Sequence, residues 1–120
     1  MRPLGRREPT DWNHISKYRL VRADIDTLRA TIRDGVPFVV GINWYASFDN
    51  PVKKPNGYWV TDMSGGIRGG HALCFMDASD KRQAFRTLNT WGPFYPPTWF
   101  PYALVERLLA EQGEAVVLVP

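Results

Sequence analysis

Three short stretches of this chain hold residue types that do chemistry together: Gly69-Gly70-His71-Ala72, Cys74, and Asn89-Thr90-Trp91-Gly92. An imidazole is the side chain that most readily moves a proton near neutral pH, and it does so best when a second group fixes its tautomer. His71 opens an apolar stretch, HALCFMDA. Asn89 closes the alternating stretch AFRTLN, and the turn-forming SDKRQ lies between them. Two such stretches predict an antiparallel hairpin, which brings His71 and Asn89 to the same edge of a sheet. The Asn89 amide then hydrogen-bonds one imidazole nitrogen and leaves the other to act as a base. Trp91 covers that bond against water. Gly69 and Gly70 let the backbone approach closely just before the histidine. Cys74 is the single cysteine. Three positions after His71 in a strand, it points to the opposite face, with the Cα atoms roughly 10 Å apart at ~3.3 Å per residue. A nucleophile must lie within ~2.6–3.2 Å of its base, so Cys74 is expected to be a small core residue. The same divergence excludes a His71–Cys74 metal site, and no metal or cofactor is expected. Asp49, Asp62 and Asp77 are carboxylates that could lie near the site, though nothing in the sequence pairs them with His71. His14, in DWNHI, is expected to be an exposed lead-in residue.

The elements that must hold these groups are readable from pattern. Residues 1–16 carry Pro3, Gly5 and Pro9 and predict an extended N-terminal arm. Tyr18, Leu20 and Val21 predict a short strand. In ADIDTLRATIRDG, Ile25, Leu28 and Ile32 share one helical face. Asp24 and Asp26 lie at its positive end, Gly35 stops it, and Pro37 blocks continuation. PFVVGINWY (37–45) predicts a buried strand, with Tyr45 and Phe48 packing in the core or at its rim. Residues 47–70 are expected to be loop apart from a brief strand at Tyr58–Val60. TWGPFYPPTWFP predicts a Pro-rich aromatic loop in which Trp99 and Phe100 wedge against the sheet; a peptide groove lined by them is the functional alternative. Pro101 suits the first turn of a helix reaching about Gln112, with Leu104, Val105, Leu108 and Leu109 as its buried stripe. EAVVLV (114–119) predicts a last strand.

The motifs resemble those of the papain-like (cathepsin-type) cysteine peptidases, especially their bacterial and phage relatives. GGHA leading into an apolar strand and NTWG, close to the family's Asn-Ser-Trp-Gly, carry the likeness. DIDTLRATIRDG followed by PFVVGINWYASF, and PTWFPYALVERLLAEQGEAVVLV downstream, extend it over residues 17–119 in the family's order. The resemblance implies an α+β fold: an antiparallel half-barrel sheet with flanking helices, as in the family's right-hand domain, spanning residues 17–120. It implies His71 as the catalytic histidine, Asn89 as the asparagine that orients it, and Trp91 as the shielding indole, with Gly70 and Thr90 supporting the site. The chain departs from the family in one decisive place. The attacking cysteine normally precedes the histidine by ~130–150 residues, and none of the residues before His71 is a cysteine. The left-hand helical domain is therefore expected to be absent from this chain, and no nucleophile is assigned.

Two readings follow. In the first, the chain supplies the His/Asn half of a thiol-peptidase site, is not proteolytic alone, and receives the other half from another chain or a longer precursor. In the second it is a non-catalytic binding or structural module, a pseudoenzyme of a phage or bacterial assembly. Both expect a second copy, another protein or the N-terminal arm to cover the face that the missing domain would bury, with a peptide as the candidate substrate. Composition limits the alternatives. A chain of 120 residues suits one domain, and 44% hydrophobic against 22% charged residues excludes wholesale disorder. The net charge of +3 is spread among interspersed acids and bases. With no Lys/Arg stripe interleaved with aromatics, nucleic-acid binding is not expected. No apolar run approaches the ~20 residues of a membrane helix, and the N-terminus lacks a secretory signal. The expectation is a soluble, by default cytoplasmic protein, with virion association the alternative.

Overall fold

The computed structural model of the chain describes residues 17–21, 24–87 and 95–119. The N-terminal arm, and with it His14, lies outside the described residues. So do Asn89, Thr90 and Trp91.

The described elements are β1 (Lys17–Val21), α1 (Ile25–Arg33), β2 (Phe38–Tyr45), a 3₁₀ turn (Ala46–Asp49), β3 (Val52–Lys54), β4 (Gly57–Trp59), β5 (Ile67–Ser79), β6 (Ala84–Thr87), β7 (Thr98–Pro101), α2 (Tyr102–Ala110) and β8 (Glu114–Val119). They make a small α+β fold with one mixed sheet in the order β1-β8-β2-β5-β6-β7-β4-β3. The expected sheet was antiparallel throughout. In fact β4 and β7 pair in parallel, Tyr58 with Thr98 and Trp59 with Trp99. Parallel neighbours need a long crossover, and here the β5–β6 hairpin supplies it.

α1 forms where its pattern says it should. Asp24 caps it, its carboxylate accepting from the Thr27 amide at 2.8 Å, and Leu28 is fully buried. β2 alternates strictly, burying Phe38, Val40, Ile42 and Trp44. α2 buries Leu104, Val105, Leu108 and Leu109 as expected, but Pro101 is its N-cap and the end of β7 rather than its first helical residue. These faces meet in one core around Phe38, Phe48, Phe75, Phe85 and Phe100.

Three expectations need correction. The span 47–70 contains β3 and the 3₁₀ turn, and β5 begins at Ile67, so His71 stands inside a 13-residue strand and not at its start. Of the glycines that suggested a loop, Gly69 and Gly70 are paired within this strand, and Gly69 flanks a bulge. The aromatic loop contains β7, whose Phe100 is fully buried and whose Trp99 is 7% exposed, so neither lines a peptide groove. Cys74 is half-buried, not a core residue. It alternates with the buried Leu73 and Phe75, so it lies on the other face of the sheet.

Candidate functional site

The site grows out of β2 and β5. Their antiparallel ladder pairs Phe38 with Phe75, Val40 with Leu73 and Ile42 with His71. Side chains alternate along a strand, so His71 shares a face with Leu73 and Phe75. Those two are buried and His71 is exposed, so the imidazole stands where the core face of β5 emerges at the surface.

One rung further the ladder breaks. Trp44 pairs with Gly69 and Tyr45 with Ile67, leaving Arg68 as the extra residue of a β-bulge. Bulges re-aim side chains and bend the strand. Gly69 makes this one possible, with φ of +146°, a conformation that residues with a side chain seldom adopt. A second bulge, at Met76, faces β6 between the pairs Phe75–Thr87 and Asp77–Arg86. His71 thus lies on a strand bent on either side of it.

The bulge sends Arg68 across to the end of the 3₁₀ turn, where its Nη1 meets Asp49 Oδ2 at 2.7 Å. The other oxygen, Asp49 Oδ1, accepts the indole N–H of Trp44 at 2.8 Å. The Trp44 ring lies 5.1 Å from the His71 ring, tilted by 57°. Phe48 meets the same indole edge-on at 5.1 Å, and Tyr95 meets it at 5.9 Å. Tyr95 donates its hydroxyl to the Phe48 carbonyl at 3.0 Å, and burial pushes that phenol up to about 12. Around these groups opens a cleft of ≈ 430 Å³, with His71, Gly70 and Arg68 on its wall. A second cleft of ≈ 520 Å³ lies beyond His71 and Gly70, against Asn43 and Glu111. Glu111 accepts from the Tyr45 hydroxyl at 2.7 Å and from the Asn43 amide at 3.3 Å. That bond is the main reason the Tyr45 phenol titrates above its ordinary range. His71 and Gly70 therefore form a ridge between two openings.

Of the three aspartates that the sequence left unassigned, Asp49 alone reaches this site. Asp77 pairs with Arg86 and Asp62 accepts from Ser64. Cys74 points away, and burial raises its thiol pKa. Among the described residues, no group of three or more His, Cys, Asp or Glu side chains converges to hold a metal. His71 and Gly70 lie together on the wall shared by the two clefts. Asp49 was among the aspartates expected near the site, whereas Trp44, Arg68 and Tyr95 were not anticipated there. The alternation of β2 turns Trp44 inward, but only the register sets it beside His71.

No family model and no curated protein matches the chain. Among solved structures, xylellain, a cysteine protease from Xylella fastidiosa, is similar, with a TM-score of 0.62 and 27% identity. The match covers 87% of this chain and 40% of xylellain, so the chain spans well under half of that protein. The likeness supports a relationship to the papain-like cysteine peptidases.

Proposed function

We propose that this chain supplies the histidine half of a papain-like thiol-peptidase site, with residues 17–120 as the right-hand half-barrel domain. His71 is the base, Asn89 its orienter, Trp91 the cover, and Gly70 and Thr90 shape the backbone around them. The attacking thiol comes from a partner half, on another chain or in a longer precursor. The imidazole takes the thiol proton and the thiolate adds to the peptide carbonyl carbon. The imidazolium then returns the proton to the leaving amine, and water releases the acyl group from sulfur.

One observation carries this reading. His71 is exposed on a ridge between two clefts, braced by an indole, in a chain whose fold resembles a cysteine protease over 87% of its length. The role of Asn89 draws support from its flanks. β6 runs antiparallel to β5 towards the His71 end, Thr87 pairs with Phe75, and Tyr95 lines the same cleft as His71. The second reading, a non-catalytic module, is favoured by Cys74, the single cysteine, lying on the face away from His71.

The deciding experiment replaces the matched segment of xylellain with this chain and assays a fluorogenic peptide with and without a thiol-trapping inhibitor. The reading expects turnover that the inhibitor stops, that His71→Ala abolishes and that Cys74→Ala leaves intact. A folded chimera without turnover supports the module. Turnover that depends on Cys74 contradicts both readings.

A further inference from the structure

The Asp49 carboxylate is bonded at both oxygens, by the Trp44 indole N–H at 2.8 Å and by Arg68 at 2.7 Å. Each partner leads to His71 by a different route. Trp44 is 8% exposed and lays its ring 5.1 Å from the imidazole. Arg68 is the bulge residue, three positions before His71 on the same strand. An indole beside an imidazole fixes the ring only if the indole cannot rotate. Phe48, edge-on at 5.1 Å, limits its tilt. The bond from Nε1 to a carboxylate fixes its rotation, and a charged acceptor makes that bond stronger than a neutral one would. The ion pair in turn holds the carboxylate in place. Arg68 and Asp49 are well exposed, with side-chain exposures of 61% and 36%. A surface ion pair of this kind adds little stability by itself, so its consequence lies in geometry.

We propose that Asp49 is a positioning residue for His71, acting through the Trp44 indole, with Arg68 steering the carboxylate. The proposal rests on the reading of His71 as a base and adds to it the device that holds the ring. Asp49 touches neither the imidazole nor a substrate in this arrangement. Its effect passes along one hydrogen bond and one ring contact, so it must vanish when either link is cut.

The test is long-range ¹H–¹⁵N correlation spectroscopy of the imidazoles at about pH 8, above the ordinary imidazole range, with exchange of the Trp44 indole proton read on the same sample. In the Asp49→Ala chain the single His71 tautomer becomes a mixture of two, and the indole proton exchanges faster. Asp49→Asn, whose amide oxygen still accepts from the indole, restores both signals. Trp44→Phe keeps an aromatic face without the N–H and mixes the tautomers by itself. Adding Asp49→Ala to it changes nothing further. A folded Asp49→Ala chain with an unchanged His71 pattern overturns the proposal, as does an undiminished Asp49→Ala effect in the Trp44→Phe background. Should Asp49→Ala fail to fold, Trp44→Phe decides alone: tautomer mixing supports the proposal, and an unchanged pattern overturns it. An Asn89→Ala sample run in parallel keeps the two claims apart. Mixing there but not in Asp49→Ala defeats this proposal and leaves the proposed function standing, whereas the reverse defeats the orienting role of Asn89 and leaves this one.

Discussion

At the scale of single residues, Asp49 holds two groups at once, the Trp44 indole N–H and the Arg68 guanidinium, beside the ridge that carries His71. Gly70 and His71 could be picked out because their types and order match a known pattern, and the ridge between the clefts is where they stand. Asp49, Arg68 and Trp44 carry no such signature. They meet because a bulge turns Arg68 toward the 3₁₀ turn, and a one-residue slip in a ladder is invisible to periodicity. Cys74 illustrates the complement. Strand alternation correctly placed it away from His71 but overstated its burial. Burial still raises its pKa, so its thiolate fraction at neutral pH is lower than that of an exposed thiol. Iodoacetamide at pH 7 is expected to alkylate Cys74 more slowly than a free cysteine peptide, and at the peptide's rate in urea. Rapid alkylation of the folded chain would mean a thiol far more accessible than this one.

At the scale of elements, long periodic segments were read well. α1 and α2 have the faces that their sequences announce and β2 and β8 form where their apolar runs lie, while β3 and β7 are three- and four-residue strands inside Pro- and Gly-rich tracts. Such strands exist only because a neighbour completes their hydrogen bonds, so no local pattern marks them. One cluster joins three elements that no local pattern connects. Asp80, in the β5–β6 turn, takes Arg29 of α1 through Nε at 2.9 Å and Nη2 at 2.8 Å, and Tyr102 of α2 at 2.8 Å. The Arg29 bonds, then that of Tyr102, hold the Asp80 carboxyl below its usual range. A depressed carboxylate pKa stabilises the fold above the unfolded value, about 3.9, and that contribution is lost as pH falls through the lower folded value. Urea unfolding of Asp80→Asn is therefore expected to show a deficit against the parent chain at pH 6 that shrinks well below pH 4. A deficit independent of pH would contradict the assignment. Where α2 hands over to β8, Gly113 has no room for a side chain. An added Cβ would stand 2.8 Å from the Leu109 Cα, 2.9 Å from the Leu108 carbonyl oxygen and 3.1 Å from that of Gly41. These are backbone atoms that cannot swing aside. Gly113→Ala is expected to cost about 1–3 kcal/mol in urea unfolding. A neutral result would show that α2 and β2 are less tightly joined.

At the scale of the whole molecule, the central fact is proportion. The chain matches a cysteine protease over most of its own length and only 40% of that protein's. A papain-like site built from such a piece needs a second half, and a face shaped to receive one. Exposed apolar side chains among the described residues include Ile67 at 54%, Val52 at 45% and Met76 at 41%. Ile67 belongs to β5, the strand that carries His71, and scattered residues of this kind become an interface only with a partner. Light scattering on the purified chain is expected to give a mass above that of one chain. A clean monomer across a tenfold concentration range would remove self-association and leave a different protein, or residues 1–16 folded over the face, as the cover. The α+β character was legible in the sequence because helical and strand periodicities both occur, whereas the mixed sheet was not, since the parallel β4–β7 pair joins strands separated by a whole hairpin.

In the proposed half-site Asn89 fixes the tautomer of the His71 imidazole, and the most direct measurement is the ¹⁵N pattern of His71 in the parent chain and in Asn89→Ala at about pH 8. One tautomer is expected in the parent and two in the variant, with the fold intact in both. Two tautomers in the parent, or a single unchanged one after Asn89→Ala, would mean that these residues do not work together and that the peptidase half-site is not there.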